Sequence, residues 1–377
     1  MVIGIVLPYL KARGTEKQAL RLTKGFIKKN HSVIIFVIQG WGDSFMYELF
    51  KKSGAKVINI GRPINIGEKK VSLQRFFPLL KHILLNRCDL IINRASISNR
   101  ISGYVGLALF IPVVCVLSSR IEKKTENNKY FRAIKSFNKL LSFGFPSKIL
   151  TVSKEGRDNL SASYPVLASK IIAIQNGVEV PNFYKKVYTL PTNRKFKFCF
   201  SGSLDINRKG IDLLLDALKM IIYENKFENV SLVFIGQGKD KHLIEKIALE
   251  SNIYNYIEFT GEVTSPIKEM KNYDSYVLPS RREGFPNSLL EAMSIGMPCI
   301  SSNCLTGPKE IIDHNKNGIL FENNNSIDLC KSMIKLIQNP KLREELGKNA
   351  REKIRKYLHV DLMINGYVNK LDIKDDK

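Results

Sequence analysis

The chain has 377 residues, which is enough for two domains of ordinary size. Apolar residues make up 44 % and charged residues 25 %, values that exclude a largely disordered chain and leave only the tail LDIKDDK without expected order. None of the six cysteines forms a C-x-x-C pair or a zinc-spaced cluster with histidine, so we expect no metal centre of this type and a reducing, cytoplasmic compartment.

The net charge of +24 is concentrated in the first half of the chain. Residues 1–186 hold 31 Lys and Arg against 10 Asp and Glu, a net of +21, whereas residues 187–377 hold 28 against 25, a net of +3. A strongly basic half indicates an anionic partner, for which a membrane surface, a lipid-linked phosphate and a nucleic acid are the candidates. The alternative is a compositional bias toward lysine, asparagine and isoleucine that has no binding role.

The first half alternates short β-branched segments with longer helical ones, which predicts a parallel sheet covered on both faces. Helices are predicted at 15–30 and 126–143, and strands at VIGIVL, SVIIFVI, KVINI, DLIIN, PVVCVL, KILTVS and KIIAIQN. The first segment lacks the basic region and cleavage site of a signal peptide. The uncharged stretch Ile101 to Ser119 is interrupted by Pro112, which favours a helix, a turn and a buried strand over a membrane span.

Between the first strand and its helix lies Gly14, followed by Thr15. A glycine here allows a phosphate to approach the backbone closely, and Thr15 is predicted to cap the helix.

The alternating pattern restarts after the linker GVEVPNFYKKVYTLPTNRKF, which predicts a second domain of the same kind. Helices are predicted at RKGIDLLLDALKMIIYE and KHLIEKIALE, and strands at FKFCFSG, VSLVFIG, IEFTG, SYVLPS and MPCISS. Two doubly wound α/β domains would bind ligands at the carboxyl ends of their strands, in a central cleft.

The turn FSGSLDINRKG carries two adjacent cations between a strand and a helix. Gly202 follows the strand, and Arg208 and Lys209 precede Gly210. An arginine fork and a lysine point charge at a helix start suit a diphosphate, although the motif is neither a Walker A loop nor a dinucleotide fingerprint. Taken alone, an adjacent Arg–Lys pair is more often solvated than bound to a ligand.

The segment EGFPNSLLEAMSIGMPCISS places two carboxylates, Glu283 and Glu291, eight positions apart. A helix is predicted to begin near Pro286 or Asn287, so that Glu283 lies in the preceding loop and Glu291 just over one turn inside the helix. Amides at a helix start bind anions, and carboxylates accept hydrogen bonds from sugar and ribose hydroxyls. The alternative is an amphipathic helix with two solvated acids.

These segments, with IQNGVEVPNF, FIGQGK, IEFTGEV and GPKEIIDHNKNGILF, resemble glycosyltransferase family 4 in order and spacing. The resemblance covers most of the chain and is densest in its second half. It implies a GT-B fold of two doubly wound Rossmann-like domains: an acceptor-side domain at 1–182, a donor domain at 183–358, and a helix and tail at 359–377 that could pack back on the first domain. It also implies a retaining transfer from a nucleotide-diphosphate sugar, with no obligatory metal or other cofactor.

The resemblance assigns roles to residues that match the family motifs. Glu283 is expected to contact the donor sugar and Glu291 the ribose, while Arg208 and Lys209 neutralise the diphosphate. Gly14 is expected to lie against the phosphates from the first domain. The remaining donor-site residues are Gly202 and the run Phe285, Pro286, Asn287 and Ser288.

Two positions depart from the family pattern. Many members have Gly-Arg after the first strand of the second domain, where this chain has Gly202 and Ser203, so Arg208 is expected to supply that charge. Many also have a histidine after the strand matching PVVCVL, where this chain has Ser118, Ser119 and Arg120. No catalytic histidine can therefore be assigned there.

For the reaction we predict transfer of a hexose or N-acetylhexosamine, with UDP as the favoured nucleotide and GDP open. The acceptor is predicted to be a glycan, lipid-linked, as in O-antigen, lipopolysaccharide or capsule synthesis; SSNCLTGPKEII resembles the same segment in such transferases.

The basic half is predicted to attach peripherally to the inner face of the cell membrane. In 129–141, Arg132, Lys135 and Lys139 fall opposite an apolar helical face, and 69–87 likewise mixes cations with bulky apolar residues. The alternative is a helix packed on the sheet with a solvated basic face.

Two other functions are compatible with the sequence. An isomerase or hydrolase of nucleotide sugars would use the same donor pocket without an acceptor surface. A nucleic-acid-binding protein is suggested by charge alone, and no nucleic acid is expected because no recognition-helix, zinc-finger or single-strand-binding motif is evident.

Overall fold

The computed structural model describes residues 1–40, 42, 44–61, 75–94, 99–117, 146–183 and 194–373. The chain forms two compact units: unit 1 comprises Met1–Asn176 with Val360–Lys377, and unit 2 comprises Gly177–His359. Several predictions fall outside the described residues: the helix at 126–143, Ser118 to Arg120, residues 69–74 of the second basic segment and residues 184–193 of the linker.

In its described part, unit 1 is built on a parallel sheet of seven strands in the order β3-β2-β1-β4-β5-β6-β7. The strands confirm the predicted segments and are β1 (Val2–Leu7), β2 (Ser32–Val37), β3 (Lys56–Asn59), β4 (Leu90–Asn93), β5 (Val113–Leu117), β6 (Lys148–Thr151) and β7 (Ile171–Ala173). The connecting helices are α1 (Gly14–Lys28), α2 (Ser44–Lys52), α3 (Phe76–Leu85), α4 (Asn99–Leu109) and α5 (Lys154–Ser163).

The stretch around Pro112 forms α4, a turn and the buried strand β5, as predicted. Across the described residues, no helix is both long and apolar enough to cross a membrane.

Helix α1 begins at Gly14, and Arg13 occupies the N-cap position with extended backbone and no side-chain cap. The prediction that Thr15 caps this helix is wrong, because Thr15 already lies inside the first turn.

Unit 2 contains a parallel sheet of six strands, in the order β10-β9-β8-β11-β12-β13, within its described residues. The strands are β8 (Phe196–Ser201), β9 (Val230–Ile235), β10 (Ile257–Gly261), β11 (Ser275–Leu278), β12 (Cys299–Ser302) and β13 (Ile319–Phe321). The helices are α6 (Ile206–Lys209), α7 (Ile211–Lys219), α8 (Lys241–Glu250), α9 (Pro266–Met270), α10 (Asn287–Ser294), α11 (Pro308–Ile311), α12 (Ser326–Gln338) and α13 (Pro340–Tyr357). A π-helical turn, Met220–Glu224, extends α7.

In both sheets the strand order reverses beside the first strand, at β1/β4 and at β8/β11. Ligands of such sheets bind at the carboxyl ends of the strands next to this reversal.

The last helix, α14 (Val360–Lys370), belongs to unit 1 and packs on α1. The hydroxyl of Tyr367 accepts a hydrogen bond from Arg94 Nη1 at 3.1 Å, and Lys370 Nζ donates to the carbonyl of Ala173 at 2.8 Å. Gly25 of α1 faces Ile364, and a Cβ at position 25 would overlap the Ile364 side chain. Glycine is therefore required here for close helix packing.

We expect the substitution Gly25→Ala to lower the stability of unit 1. Overpacking against the buried Ile364 costs about 1–3 kcal/mol, and the better helix propensity of alanine offsets about 1 kcal/mol of it. The double variant Gly25→Ala/Ile364→Ala should lose less stability than the sum of its two single variants, because the smaller side chain at 364 accepts the new methyl group. Thermal unfolding of the four proteins measures this coupling, and strictly additive losses would contradict the proposed packing.

Candidate functional site

Strand β8 ends at a turn that leads into the short helix α6. Asp205 caps this helix, its carboxylate accepting the backbone N–H of Arg208 at 3.0 Å. Gly210 then turns the chain with φ +62°, and a Cβ at this position would overlap the carbonyl of Pro279. Only glycine fits such a left-handed position at this distance, so the turn packs against the loop that follows β11.

Arg281 fixes this turn from the β11 side. Its guanidinium forms two bonds to Asp212, at 2.7 and 2.5 Å, and also donates to the carbonyls of Ile206 and Asn207 at 3.3 Å each. Its backbone N–H donates to the carbonyl of Arg208 at 3.1 Å. The hydrogen bond to Asp212 raises the pKa of Arg281 above its ordinary value. Arg281 thus satisfies the carbonyls at the end of α6 and sets the position of Arg208 and Lys209.

Lys209 and Glu283 form an ion pair in the centre of the site. The distance from Lys209 Nζ to Glu283 Oε1 is 2.6 Å, and the two side chains are 10 % and 9 % exposed. A largely buried pair of this kind interacts strongly because little water screens it. The structure therefore brings together two of the residues predicted for catalysis, one from each motif.

Arg208 lies beside this pair and is far more accessible, with a side chain that is 43 % exposed. Its Nη2 donates to the hydroxyl of Ser203 at 2.7 Å. Arg208 therefore extends over the turn that follows Gly202, and the expectation that it supplies the charge of the family's arginine stays a prediction.

A loop after β12 holds the backbone of Glu283. The hydroxyl of Thr306 donates to the Glu283 carbonyl, and the adjacent Gly307 would bring a Cβ within 2.8 Å of the Gly284 carbonyl. Thr306 is buried and has φ +70°, a strained conformation for a β-branched residue. Such strain is found where the surroundings fix a segment closely, and here they fix the loop that carries Glu283.

Helix α10 begins at Asn287, confirming the predicted start, with Pro286 extended at the N-cap position and no side-chain cap. Its first turn contains no acidic residue, which leaves a positive helix terminus for an anion. The hydroxyl of buried Tyr276 donates to Ser288 at 2.7 Å, and burial raises the pKa of Tyr276 well above its ordinary value. Tyr276 thus anchors this terminus as a neutral phenol.

Glu291 lies in the second turn of α10 and is buried, as is Phe285 in the preceding loop. Unit 2 therefore groups the residues predicted for the donor site, Gly14 apart, at the carboxyl ends of β8, β11 and β12. Gly14 lies in unit 1, as the first residue of α1, and its predicted contact with a phosphate stays a prediction. In the described part of the chain, no three His, Cys, Asp or Glu side chains are grouped closely enough to hold a metal ion.

Sequence reasoning missed Arg281 and Thr306. Arg281 stands two residues before Glu283, and Thr306 lies in SSNCLTGPKEII, a segment considered only for its resemblance. The sequence spacing does not indicate the partner of either residue. Arg281 meets Asp212, and Thr306 meets the Glu283 carbonyl, only in the folded chain.

Two family models match the chain. Residues 12–180 match Glycosyltransferase Family 4, and residues 183–353 match Glycosyl transferases group 1.

Similar proteins are named as glycosyltransferases. An uncharacterized glycosyltransferase of Haemophilus influenzae is 26 % identical over 224 residues, 58 % of this chain and 60 % of the relative. The poly(ribitol-phosphate) alpha-N-acetylglucosaminyltransferase of Staphylococcus aureus is 28 % identical over 197 residues, 52 % of this chain and 39 % of the relative. The chain thus spans about 60 % of the Haemophilus relative's length and less of the staphylococcal one.

Among solved structures, Anabaena Alr3699/HepE in complex with UDP and glucose superposes with a TM-score of 0.80 at 18 % identity, over 99 % of both chains. This likeness confirms the predicted GT-B fold.

We expect Glu283→Gln to destabilise unit 2, because it leaves the Lys209 ammonium without its opposite charge in a largely buried place. Removing one partner of a buried pair costs about 3–5 kcal/mol, and the residual exposure here favours the lower value. The double variant Lys209→Met/Glu283→Leu removes both charges and should recover most of the loss.

The free energy of unfolding in urea measures these changes. Glu258→Gln is the matched control, since Glu258 pairs with Lys197 at the surface at 2.7 Å, and its loss should stay below about 1 kcal/mol. If Glu283→Gln is no more destabilising than this control, the pair is not the central contact of the site.

Proposed function

We propose that the chain, which belongs to the glycosyltransferases of family 4 and has the GT-B fold, transfers a hexose or N-acetylhexosamine from a UDP-sugar to a glycan acceptor with retention of anomeric configuration. The observation that carries this proposal is the grouping in unit 2 of the Lys209–Glu283 pair, the accessible Arg208 and the start of helix α10. These groups supply what a nucleotide-diphosphate sugar needs: fixed positive charge for phosphate and a carboxylate for sugar hydroxyls.

Each group has a role in the proposed complex. The Arg208 guanidinium and the positive end of α10 bind the diphosphate, and Lys209 shares its charge between the diphosphate and Glu283. The Glu283 carboxylate accepts hydrogen bonds from the transferred sugar, and Glu291 accepts them from the ribose. The UDP bound to the Anabaena protein supports the choice of nucleotide.

In the proposed reaction, the bond between the anomeric carbon and the β-phosphate oxygen breaks while the acceptor oxygen bonds to the same face of the sugar. The proton of the acceptor hydroxyl passes to the departing phosphate oxygen, so no catalytic histidine is required after β5. Negative charge grows on the β-phosphate as the bond breaks, and groups held in place before the reaction stabilise it at little reorganisation cost. Retention itself is inferred from the family resemblance.

The acceptor is proposed to be a growing surface glycan, lipid-linked and at the inner face of the membrane. The name of the staphylococcal relative, a poly(ribitol-phosphate) alpha-N-acetylglucosaminyltransferase, supports a polymer as the acceptor class. The +21 charge of residues 1–186 supports an anionic surface or phosphate near unit 1.

The test is a screen of mass-tagged UDP- and GDP-sugars with bacterial membrane extract as acceptor, in the presence and absence of EDTA. Transfer of a sugar from one donor to extract material, with the product linkage determined by NMR, would support the proposal. Release of free sugar or an altered nucleotide sugar without any transfer would favour the hydrolase or isomerase instead.

We expect Glu291→Ala to weaken UDP binding by about ten- to a hundredfold, since a hydrogen bond to a charged acceptor contributes about 1.5–3 kcal/mol. Isothermal titration calorimetry measures the affinity. Glu245→Ala on helix α8, where the carboxylate pairs with Lys241 at the surface, serves as the control and should bind UDP normally. Unchanged affinity in Glu291→Ala would exclude the ribose contact.

We expect Arg208→Ala to lower kcat by roughly ten- to a thousandfold with the fold intact, because the developing phosphate charge loses a preorganised cation. The control is Arg157→Ala in unit 1, whose side chain is 43 % exposed like that of Arg208 and pairs only locally with Asp158 among the described contacts. Equal turnover in the two variants would remove Arg208 from the diphosphate site.

A further inference from the structure

Helices α3 and α4 cover the same face of the unit 1 sheet. Leu79 and Ile83 of α3 and Ile101 and Val105 of α4 bury their side chains in one core with residues of β1, β2, β4 and β5, and the two helices pack against each other. Their outer sides therefore lie next to each other and form a single surface.

The outer side of a helix that packs on a sheet is normally polar, but this surface is largely apolar. On α3, Phe77, Lys81, Leu84 and Leu85 are exposed at spacings of four, seven and eight residues, which places them in one stripe. Leu107 of α4 and Phe110, which follows α4, are also exposed. We call these six residues the α3–α4 surface.

Phe110 is the clearest sign that this surface has a role. It is 93 % exposed and takes φ +55° directly after the last turn of α4, a position that glycine or asparagine normally fills. The backbone N–H of Ile111 closes the helix end by donating to the Gly106 carbonyl at 2.9 Å. Neither the backbone conformation nor the core of the described residues explains a large aromatic ring here.

Both helices connect parallel strands of one sheet, α3 from β3 to β4 and α4 from β4 to β5, so both run opposite to the strands and end at the same edge of the sheet. Leu84, Leu85, Leu107 and Phe110 are consequently grouped at this edge. More than half of each side chain is exposed. A group of large apolar side chains of this kind marks a binding surface or an interfacial membrane contact.

The charges around the α3–α4 surface are positive. Residues 75–117 contain five Lys and Arg, of which Arg94 is buried, and one acid, Asp89, whose carboxylate accepts the backbone N–H of Val2 at 2.6 Å. Lys81 within the stripe and Arg87 just beyond α3 are exposed, and long cationic side chains extend to lipid headgroups while their stems stay among apolar neighbours. This combination of apolar side chains and cations complements an anionic lipid surface.

We propose that the α3–α4 surface docks unit 1 on an anionic membrane, with Leu84, Leu107 and Phe110 inserted among the headgroups and Lys81 and Arg87 paired with lipid phosphates. This rests on the proposed membrane attachment and assigns it to helices other than 126–143. It is independent of the donor chemistry in unit 2.

The experiment is co-sedimentation of the full-length protein with vesicles of phosphatidylcholine alone and with added phosphatidylglycerol. We expect binding to the anionic vesicles, weakened as salt rises. The triple variant Leu84→Gln/Leu107→Gln/Phe110→Asn should bind them at least about tenfold more weakly, because interfacial binding scales with the apolar area inserted. Glutamine suits a helix, and asparagine suits the left-handed position of residue 110.

The matched control is Leu243→Gln/Leu249→Gln/Tyr254→Asn, which removes three exposed apolar side chains from unit 2 and should bind vesicles like the wild type. Calorimetry with UDP on each variant reports unit 2 separately, so failure of donor binding is distinguished from failure of docking. Equal vesicle binding by the two triple variants would overturn the proposal. So would a wild-type dimer, seen by light scattering, that the first variant dissociates without any vesicle binding.

Discussion

The ion pair between Lys209 and Glu283 is the contact on which the candidate site depends, because it joins two loops that are 74 residues apart in sequence. Each end of the pair is fixed by its own support. Arg281 and the Gly210 turn hold the lysine side, while Thr306 and Gly307 hold the glutamate side. Three strands of the unit 2 sheet therefore end in one rigid arrangement, which keeps a charged pair in place where water has little access.

The fold was largely predictable from sequence because nearly all its strands are buried on both faces. Runs such as VIGIVL and VVCVL are short, β-branched and apolar throughout, which is typical of strands buried on both faces. The helices between these strands indicate that the strands pair in parallel. The prediction that Thr15 caps α1 was wrong for a local reason. A threonine after a glycine suits both the N-cap position and the first turn of a helix, and the extended backbone of Arg13 shows that the helix begins one residue before Thr15.

The candidate site was only partly predictable. Glu283, Arg208 and Lys209 stand in short motifs whose order resembles a known family, so their grouping could be expected. Arg281 could not be assigned, because its partners are Asp212 and backbone carbonyls of a turn, and a sequence does not show which carbonyls a fold leaves unpaired. The strain at Thr306 is likewise a property of backbone angles, which nothing in the letters CLTGP specifies.

The return of helix α14 to unit 1 has a consequence for how the protein is made. Residues 1–176 are synthesised well before residues 360–370. The surface of α1 around Gly25 therefore lacks its partner helix α14 until all of unit 2 has been synthesised. Unit 2 is continuous in sequence and can complete its own sheet first. Unit 1 therefore completes its fold last, after residues 360–370 have been synthesised.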